Sequence, residues 1–376
     1  MKFAHLADNH LGYRQYNLQE REKDFYDNFA EVIDKIIEER VDFVVHSGDL
    51  FEFPKPPIKA LLTVLEGLGR LKDRGIEVYA IPGNHDISMR KGALPPQLLF
   101  RGLIKVIGRH KNPFYIHEGI FIGGVPYCSR FYANALRERL ERLSGEAEKY
   151  RKRILVLHQG IDKYLSFDGS YELKIGELPP NFDYYALGHV HRRIIRDYHQ
   201  GKLVYPGSTE IWRMDEHEDY KSRGKGFYVV DLGGDEPDIQ PVNLERIRPF
   251  IEDSFNVSEL DEHIHAIKDN IRELEKRPIL YLNITGKSYD ISIIHNKISS
   301  AFRDKTLYLK PKYTTETETA DISVSGEFDI SDLIRESLRK EAPERVSFSV
   351  DLFHRLSSDR VDEAKQMVSE FYGEFK

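Results

Sequence analysis

The sequence predicts an α/β chain: two sheets flanked by helices, then a small α+β unit, then a helical tail. Three observations predict it. Five short apolar runs, Phe3–Ala7, Phe43–His46, Val78–Ile81, Ile154–Leu157 and Tyr184–Leu187, each lead within three residues to an Asp, Asn or His. Helical periodicity fills the intervals between them, and the pattern restarts after the turn-rich stretch Gly233 to Pro237. Continuous apolar runs of this length read as strands covered on both faces. If all five lie in one sheet, they deliver Asp8, His10, Asp49, Asn84, His85, His158, His189 and His191 to a single edge, where ligands collect in open α/β folds.

Taken in order, Leu18–Arg40 is a helix with Phe25, Phe29, Val32, Ile33 and Ile36 at helical spacing, and Asn17 with Glu20 form a capping pair. Pro56-Pro57 open a second helix. Its apolar residues, Ile58, Leu61, Leu62, Val64, Leu65, Leu68 and Leu71, span about half the circumference, against the ~100° stripe one core needs, so another surface must cover the excess. Pro95-Pro96 open a short apolar helix containing Leu98, Leu99 and Phe100. Strands follow at Ile120–Val125, Leu203–Tyr205 and Gly226–Leu232, with a polar helix over Ala133–Lys152.

The first domain is expected over residues 1–240 and the α+β unit over 241–320. That unit reads as a strand from Val242, a helix over Leu260–Lys276, a strand over Ile279–Ile284, a helix over Ile291–Phe302 and a strand over Thr306–Leu309. Tyr313–Ala320 reads as a linker or weak edge strand. Residues 321–376 form the tail, in which Val350, Leu352, Phe353 and Leu356 precede a helix over Asp359–Tyr372 with the stripe Val361, Ala364, Val368, Phe371.

Length (376 residues) and 40% apolar composition fit one large domain with one or two smaller ones. The net charge of −7 gives no support to whole-protein attraction to nucleic acid, so any such contact must be local. Candidate patches are Arg90-Lys91, Arg109-His110-Lys111, Lys149–Arg153, Arg192-Arg193 with Arg196, and Lys221–Lys225. The lone Cys128 excludes an internal disulfide and fits a reducing compartment. No apolar stretch reaches membrane-span length and Met1 runs straight into a strand, so the expectation is a cytoplasmic protein with no membrane contact.

The blocks Asp8-Asn9-His10, Gly48-Asp49, Gly83-Asn84-His85-Asp86, His158-Gln159-Gly160 and Gly188-His189-Val190-His191 together resemble the calcineurin-like metallophosphoesterase superfamily. Within it, Ser47 to Phe51 combined with Tyr205 to Glu210 is similar to the SbcD-type nuclease subunit of the complex that processes DNA double-strand breaks, including its archaeal counterpart. The resemblance covers Met1 to about Asp231 well and the rest in layout.

It implies a four-layer sandwich with a cap domain and two divalent metal ions, most readily manganese. Asp8, His10 and His191 would hold the first ion, Asn84, His158 and His189 the second, and Asp49 would bridge. Two such ions, held about 3.5–4 Å apart, orient a phosphate and neutralise the charge that develops during in-line attack. His85 follows a ligand without being needed as one, which suits protonation of the leaving oxygen or a hold on the scissile phosphate.

The activity implied is double-strand exonuclease and single-strand endonuclease, with DNA ends as substrate and a nucleoid-associated location. A homodimer through the apolar helices and a coiled-coil ABC-type ATPase bound by the tail are implied as partners. A cyclic-nucleotide phosphodiesterase or protein phosphatase on the same site, or a non-catalytic scaffold, are the alternatives.

Glu52 stands where the family often has a histidine. His5 and His46, inside apolar strands, read as satisfied core residues, and the remaining histidines read as surface. Trp212 and Tyr205 read as packed aromatics.

Overall fold

The structure is a computed structural model that describes residues 1–88, 92–108, 112–165, 171–287, 289–315, 338, 343–357, 363, 366–368 and 371. It divides into two compact units, Met1–Thr315 and Glu316–Lys376. The first opens with β1 (Lys2–Leu6), α1 (Gln19–Glu38), β2 (Phe43–His46), α2 (Ile58–Asp73), β3 (Glu77–Ala80) and β4 (Lys105–Val106). Next come β5 (Phe114–His117), β6 (Ile120–Val125), α3 (Ala133–Ala147), β7 (Lys152–His158), β8 (Tyr184–Gly188), β9 (Ile194–Tyr198) and β10 (Gly201–Tyr205). The chain then returns through α4 (His217–Arg223) to β11 (Gly226–Asp231) and β12 (Asp238–Asn243).

The strands form two six-stranded sheets, ordered β12-β11-β1-β2-β3-β4 and β5-β6-β7-β8-β10-β9. The five apolar runs therefore do not share one sheet: β1, β2 and β3 pair in parallel in the first, β7 and β8 in parallel in the second. Alternation explains the layering. Ala4, Leu6, Val44, Val78 and Ala80 pack under α1 and α2. Phe3, Phe43, Val45 and Tyr79 meet Ile122, Ile154, Val156, Tyr184 and Ala186 between the sheets, and α3 covers Leu155, Leu157, Tyr185 and Leu187 on the far side. Both sheets point the carboxyl ends of their parallel strands to one side, so their ends can meet across the sandwich.

Several boundaries differ from expectation. Asn17 does not cap α1: it sits at φ 59° in a 3-10 turn, Leu18 takes the cap position, and no side chain bonds the first turn. The polar helix ends at Ala147 because Lys152 already belongs to β7. The strand containing Val242 pairs with β11, closing the first sheet instead of opening the cap.

The cap is β13 (Phe250–Asn256), α5 (Leu260–Arg272), β14 (Ile279–Gly286), α6 (Ile291–Phe302) and β15 (Tyr308–Thr315), a parallel three-stranded sheet with its own core of Leu280, Leu282, Ile284, Ile298 and Phe302. Tyr313 lies in β15, and residues 316–320 lie outside the described residues. Phe250 and Ile279 join the α1 core instead, which welds the cap to the first domain. In the second unit, α7 (Pro343–Ser357) contains Val350 and Leu352, and Phe348 stacks on Phe371 at 4.0 Å. Most of the expected helix over Asp359–Tyr372 lies outside the described residues. No helix among the described residues is long and apolar enough to cross a membrane.

Candidate metal centre

Backbone conformation, not strand direction alone, brings the site residues together. Asp8, His10, Asp49 and His189 all have positive φ (55°, 48°, 54° and 90°), a region that costs non-glycine residues energy and persists where surrounding bonds enforce it. Those bonds are present. Asp8 N–H donates to Gly48 O (3.0 Å) and His10 N–H to Asp49 O (3.1 Å), tying the ends of β1 and β2. His189 N–H donates to both oxygens of Asp8 (3.1 and 3.2 Å), tying the second sheet to the first. Glycine at 83 is required by space: a Cβ there would lie 2.1 Å from Asp49 Oδ1.

All eight predicted site residues converge. The donor atoms of Asp8, His10 and His191 lie within 4.8 Å of one another, as do those of Asp49, His158 and His189. Asn84 Oδ1 is 3.0 Å from both His158 Nε2 and His189 Nδ1. Asp49 Oδ2 is 3.1 Å from His158 Nε2 and 4.0 Å from His10 Nε2, so it reaches both groups, and Asp8 Oδ1 comes within 4.0 Å of His158 Nε2 from the other side. His85 stands beside them, with its Nδ1–H donating to the Glu52 carbonyl (3.0 Å) and its ring edge-to-face with His10.

The outer nitrogens are committed, which fixes the tautomers. Glu52 accepts from His10 Nδ1 and Glu216 from His191 Nδ1, both at 2.8 Å, and Ser47 O accepts from His158 Nδ1 at 2.7 Å. Each leaves Nε2 facing inward as a lone-pair donor, the arrangement that carboxylate and carbonyl partners impose on metal-binding histidines. The local field also favours positive charge. Burial opposes a charged His158, but Asp49 outweighs it and raises this imidazole to about 9. Asp49 itself is driven far below the carboxylate range by His158, against its burial. An all nitrogen and oxygen donor set around two centres, with two carboxylates in it and a His158 proton that a bound cation would displace, fits divalent cations.

Asp86 is part of the frame and not of the centre. Its carboxylate accepts from the N–H groups of Gly83, Leu50 and Phe51, and burial followed by Asp49 raises it to about 7. The Tyr205–Glu210 block is scaffolding as well: Thr209 Oγ1 accepts from Asn9, while Glu210 accepts from Asn28 and pairs with Arg21. His5 and His46 are satisfied core residues, bonded to Tyr184 with Ser47 and to Asn9 respectively, and burial lowers both to about 3.

The basic patches fare unevenly. Arg193 is buried, holding Arg223 O, Val242 O and Asn243, so it cannot meet a substrate, whereas Arg192 stays exposed. Lys225 is buried against Glu216, and His217 is buried instead of on the surface. Arg90-Lys91 and Arg109-His110-Lys111 lie outside the described residues.

Four residues outside the ligand set serve the centre, and sequence reasoning missed two of them, Glu216 and Tyr127. Glu52 and Glu216 are described above. Trp212 donates its indole N–H to Glu52 (3.0 Å) and stacks on His10. Tyr127 places its ring 5.9 Å from His189 and 6.3 Å from His158. None lies in a ligand block; Glu52 carries a signal as the residue where the family often has a histidine, and Trp212 reads as a packed aromatic.

Residues 1–193 match the calcineurin-like phosphoesterase model, and the chain belongs to that family. Its relatives narrow the likeness. It is 36% identical to the DNA double-strand break repair protein Mre11 of Methanococcus maripaludis over 100% of both chains. It is 41% identical to the protein of the same name from Methanocaldococcus jannaschii over 75% of this chain and 76% of that one. The Saccharolobus solfataricus counterpart is 36% identical over 85% and 84%.

Proposed function

We propose that this chain is a two-metal nuclease that hydrolyses phosphodiester bonds at DNA ends during double-strand-break processing, as a double-strand exonuclease and single-strand endonuclease. The carrying observation is the pair of donor groups that share Asp49, set in a chain alike over its full length to DNA double-strand break repair proteins. In this reading Asp8, His10 and His191 hold one ion, Asn84, His158 and His189 the other, and Asp49 lies between. When bound, two divalent ions orient the phosphate and neutralise the charge of in-line attack. Manganese is the ion assigned, on the family resemblance and the absence of thiolate donors. His85 has Nδ1 committed to a carbonyl, so any proton it gives to the leaving oxygen departs from Nε2.

The test is manganese-dependent release of nucleotides from duplex ends, run beside hydrolysis of bis(p-nitrophenyl) phosphate. Both are expected; diester hydrolysis without DNA cleavage would remove DNA as the substrate. Asp49→Asn should bind less metal, whereas His85→Gln should keep its metal and lose about 10² to 10⁴ in rate. Fewer metals in His85→Gln would assign it to the wrong role.

The partners proposed are a second copy of the chain through α2, and a coiled-coil ABC-type ATPase through residues 321–376, in a cytoplasmic, nucleoid-associated protein. A chain ending at Ala342 should keep its melting temperature and nuclease activity yet fail to copurify with the ATPase. Retained copurification would release the tail from that role.

A further inference from the structure

A cavity of about 530 Å³ opens at the same sheet edge as the candidate metal centre. Among the described residues its wall includes Pro126 and Tyr127, which leave the carboxyl end of β6, Ile87, which follows the His85-Asp86 turn, and Phe114 at the start of β5. Arg139 and Arg142 of α3 complete it, and both are exposed. The cavity and the centre share one residue, Tyr127, whose ring positions against His158 and His189 were given above. Its volume lies within the ~300–1,000 Å³ of small-ligand sites, and none of its residues ligates in the centre.

We propose that this cavity is a nucleoside subsite, which receives the nucleoside next to the scissile phosphate of a DNA strand. The proposal rests on the nuclease reading and names how that site holds its substrate. The chemistry of the lining selects the occupant. Aromatic and proline faces at Tyr127, Phe114 and Pro126 suit a flat base, which stacks without regard to sequence because every base has a π-face. Two guanidinium groups on one helix suit the neighbouring phosphate oxygens. The acidic residue in the lining, Glu146, has its charge met by Lys149 at 2.6 Å, and Arg142 has a single 3.4 Å contact with Glu138, leaving most of its donors for an anion. Adjacency supplies the geometry: a base in the cavity places its phosphate around the edge of Tyr127, toward the donor groups.

The experiment compares thymidine 3′-phosphate 5′-(p-nitrophenyl phosphate), which carries a neighbouring phosphate, with bis(p-nitrophenyl) phosphate, two diesters with the same leaving group that differ in the nucleoside and its 3′-phosphate. The wild-type protein with manganese should favour the thymidine ester in kcat/KM. In Arg139→Glu, Arg142→Glu and the double variant, all at exposed positions, the ratio should fall about 10-fold or more through a higher KM for the thymidine ester. Hydrolysis of bis(p-nitrophenyl) phosphate and the melting curve should stay unchanged. An unchanged ratio in the double variant, or equal wild-type rates on the two esters, overturns the subsite. Absence of wild-type hydrolysis of either ester would instead overturn the phosphodiesterase reading beneath it.

Discussion

Two carboxylates hold the histidines of the centre, and they differ in what else they hold. Glu52 accepts from His10 and from the Trp212 indole. Glu216 accepts from His191 and also neutralises Lys225, whose ammonium is buried. Loss of such an outer carboxylate typically costs about 10- to 100-fold in metal affinity. Glu52→Gln is therefore expected to weaken manganese binding by that factor in a calorimetric titration while leaving the melting temperature nearly unchanged. Glu216→Gln should weaken metal binding similarly and also destabilise the fold by about 3–5 kcal/mol, because it strands a buried charge. Equal melting temperatures for the two variants would contradict this division. At this scale the ligands were legible, since each ends a strand or follows one within four residues. Their supporters were not, because Glu216 and Tyr127 reach the site only through the packing of segments distant in sequence.

At the scale of the element, α2 carries the clearest unexplained surface. Ala60, Val64, Leu68 and Leu71 are buried under the first sheet, while Ile58, Leu62 and Leu65 are 75%, 58% and 47% exposed. The excess apolar arc read from the sequence is thus real, and the structure divides it: Leu61 packs against the protein's own core, and Leu62 faces outward. Periodicity alone could not separate neighbours at the border of a stripe this wide. Leu99, at the end of its 3-10 turn, is a further exposed apolar residue. An isologous contact repeats each substitution twice across its axis. Leu62→Asp and Leu65→Asp should therefore halve the mass measured by sedimentation while hydrolysis of a small diester persists. A monomeric wild type, or unchanged mass in both variants, would refute the dimer.

Across the whole molecule, the two-sheet sandwich was legible as alternating strand and helix, yet the placement of the five ligand-bearing strands was not. Both sheets contain continuous apolar strands, so composition could not say which strand pairs with which, and the Asp8 bonds to His189 N–H that join them are absent from any local pattern. The joint to the cap was equally hidden. Arg248, just before β13, forms two bonds to the Asp24 carboxylate on α1 and a third to Arg277 O, and Asp24 also pairs with the fully buried Arg21. Beside this ionic joint, Tyr16 stacks on Tyr308 at 4.0 Å and meets the Tyr281 hydroxyl at 2.7 Å. Removing Arg248 leaves the Asp24 charge matched by Arg21 and Lys276 but takes away charged hydrogen bonds worth about 1.5–3 kcal/mol each, and the loss falls on the seam between domain and cap. Arg248→Met should therefore loosen the cap before it unfolds the sandwich: amide exchange should rise in β13 and β14 while β1 and β2 remain protected. Cleavage of DNA ends should drop with hydrolysis of a small diester retained, since the metal centre is built without any cap residue. Uniform exchange across both parts, or parallel loss of the two activities, would mean that the cap is an inseparable part of the nuclease core.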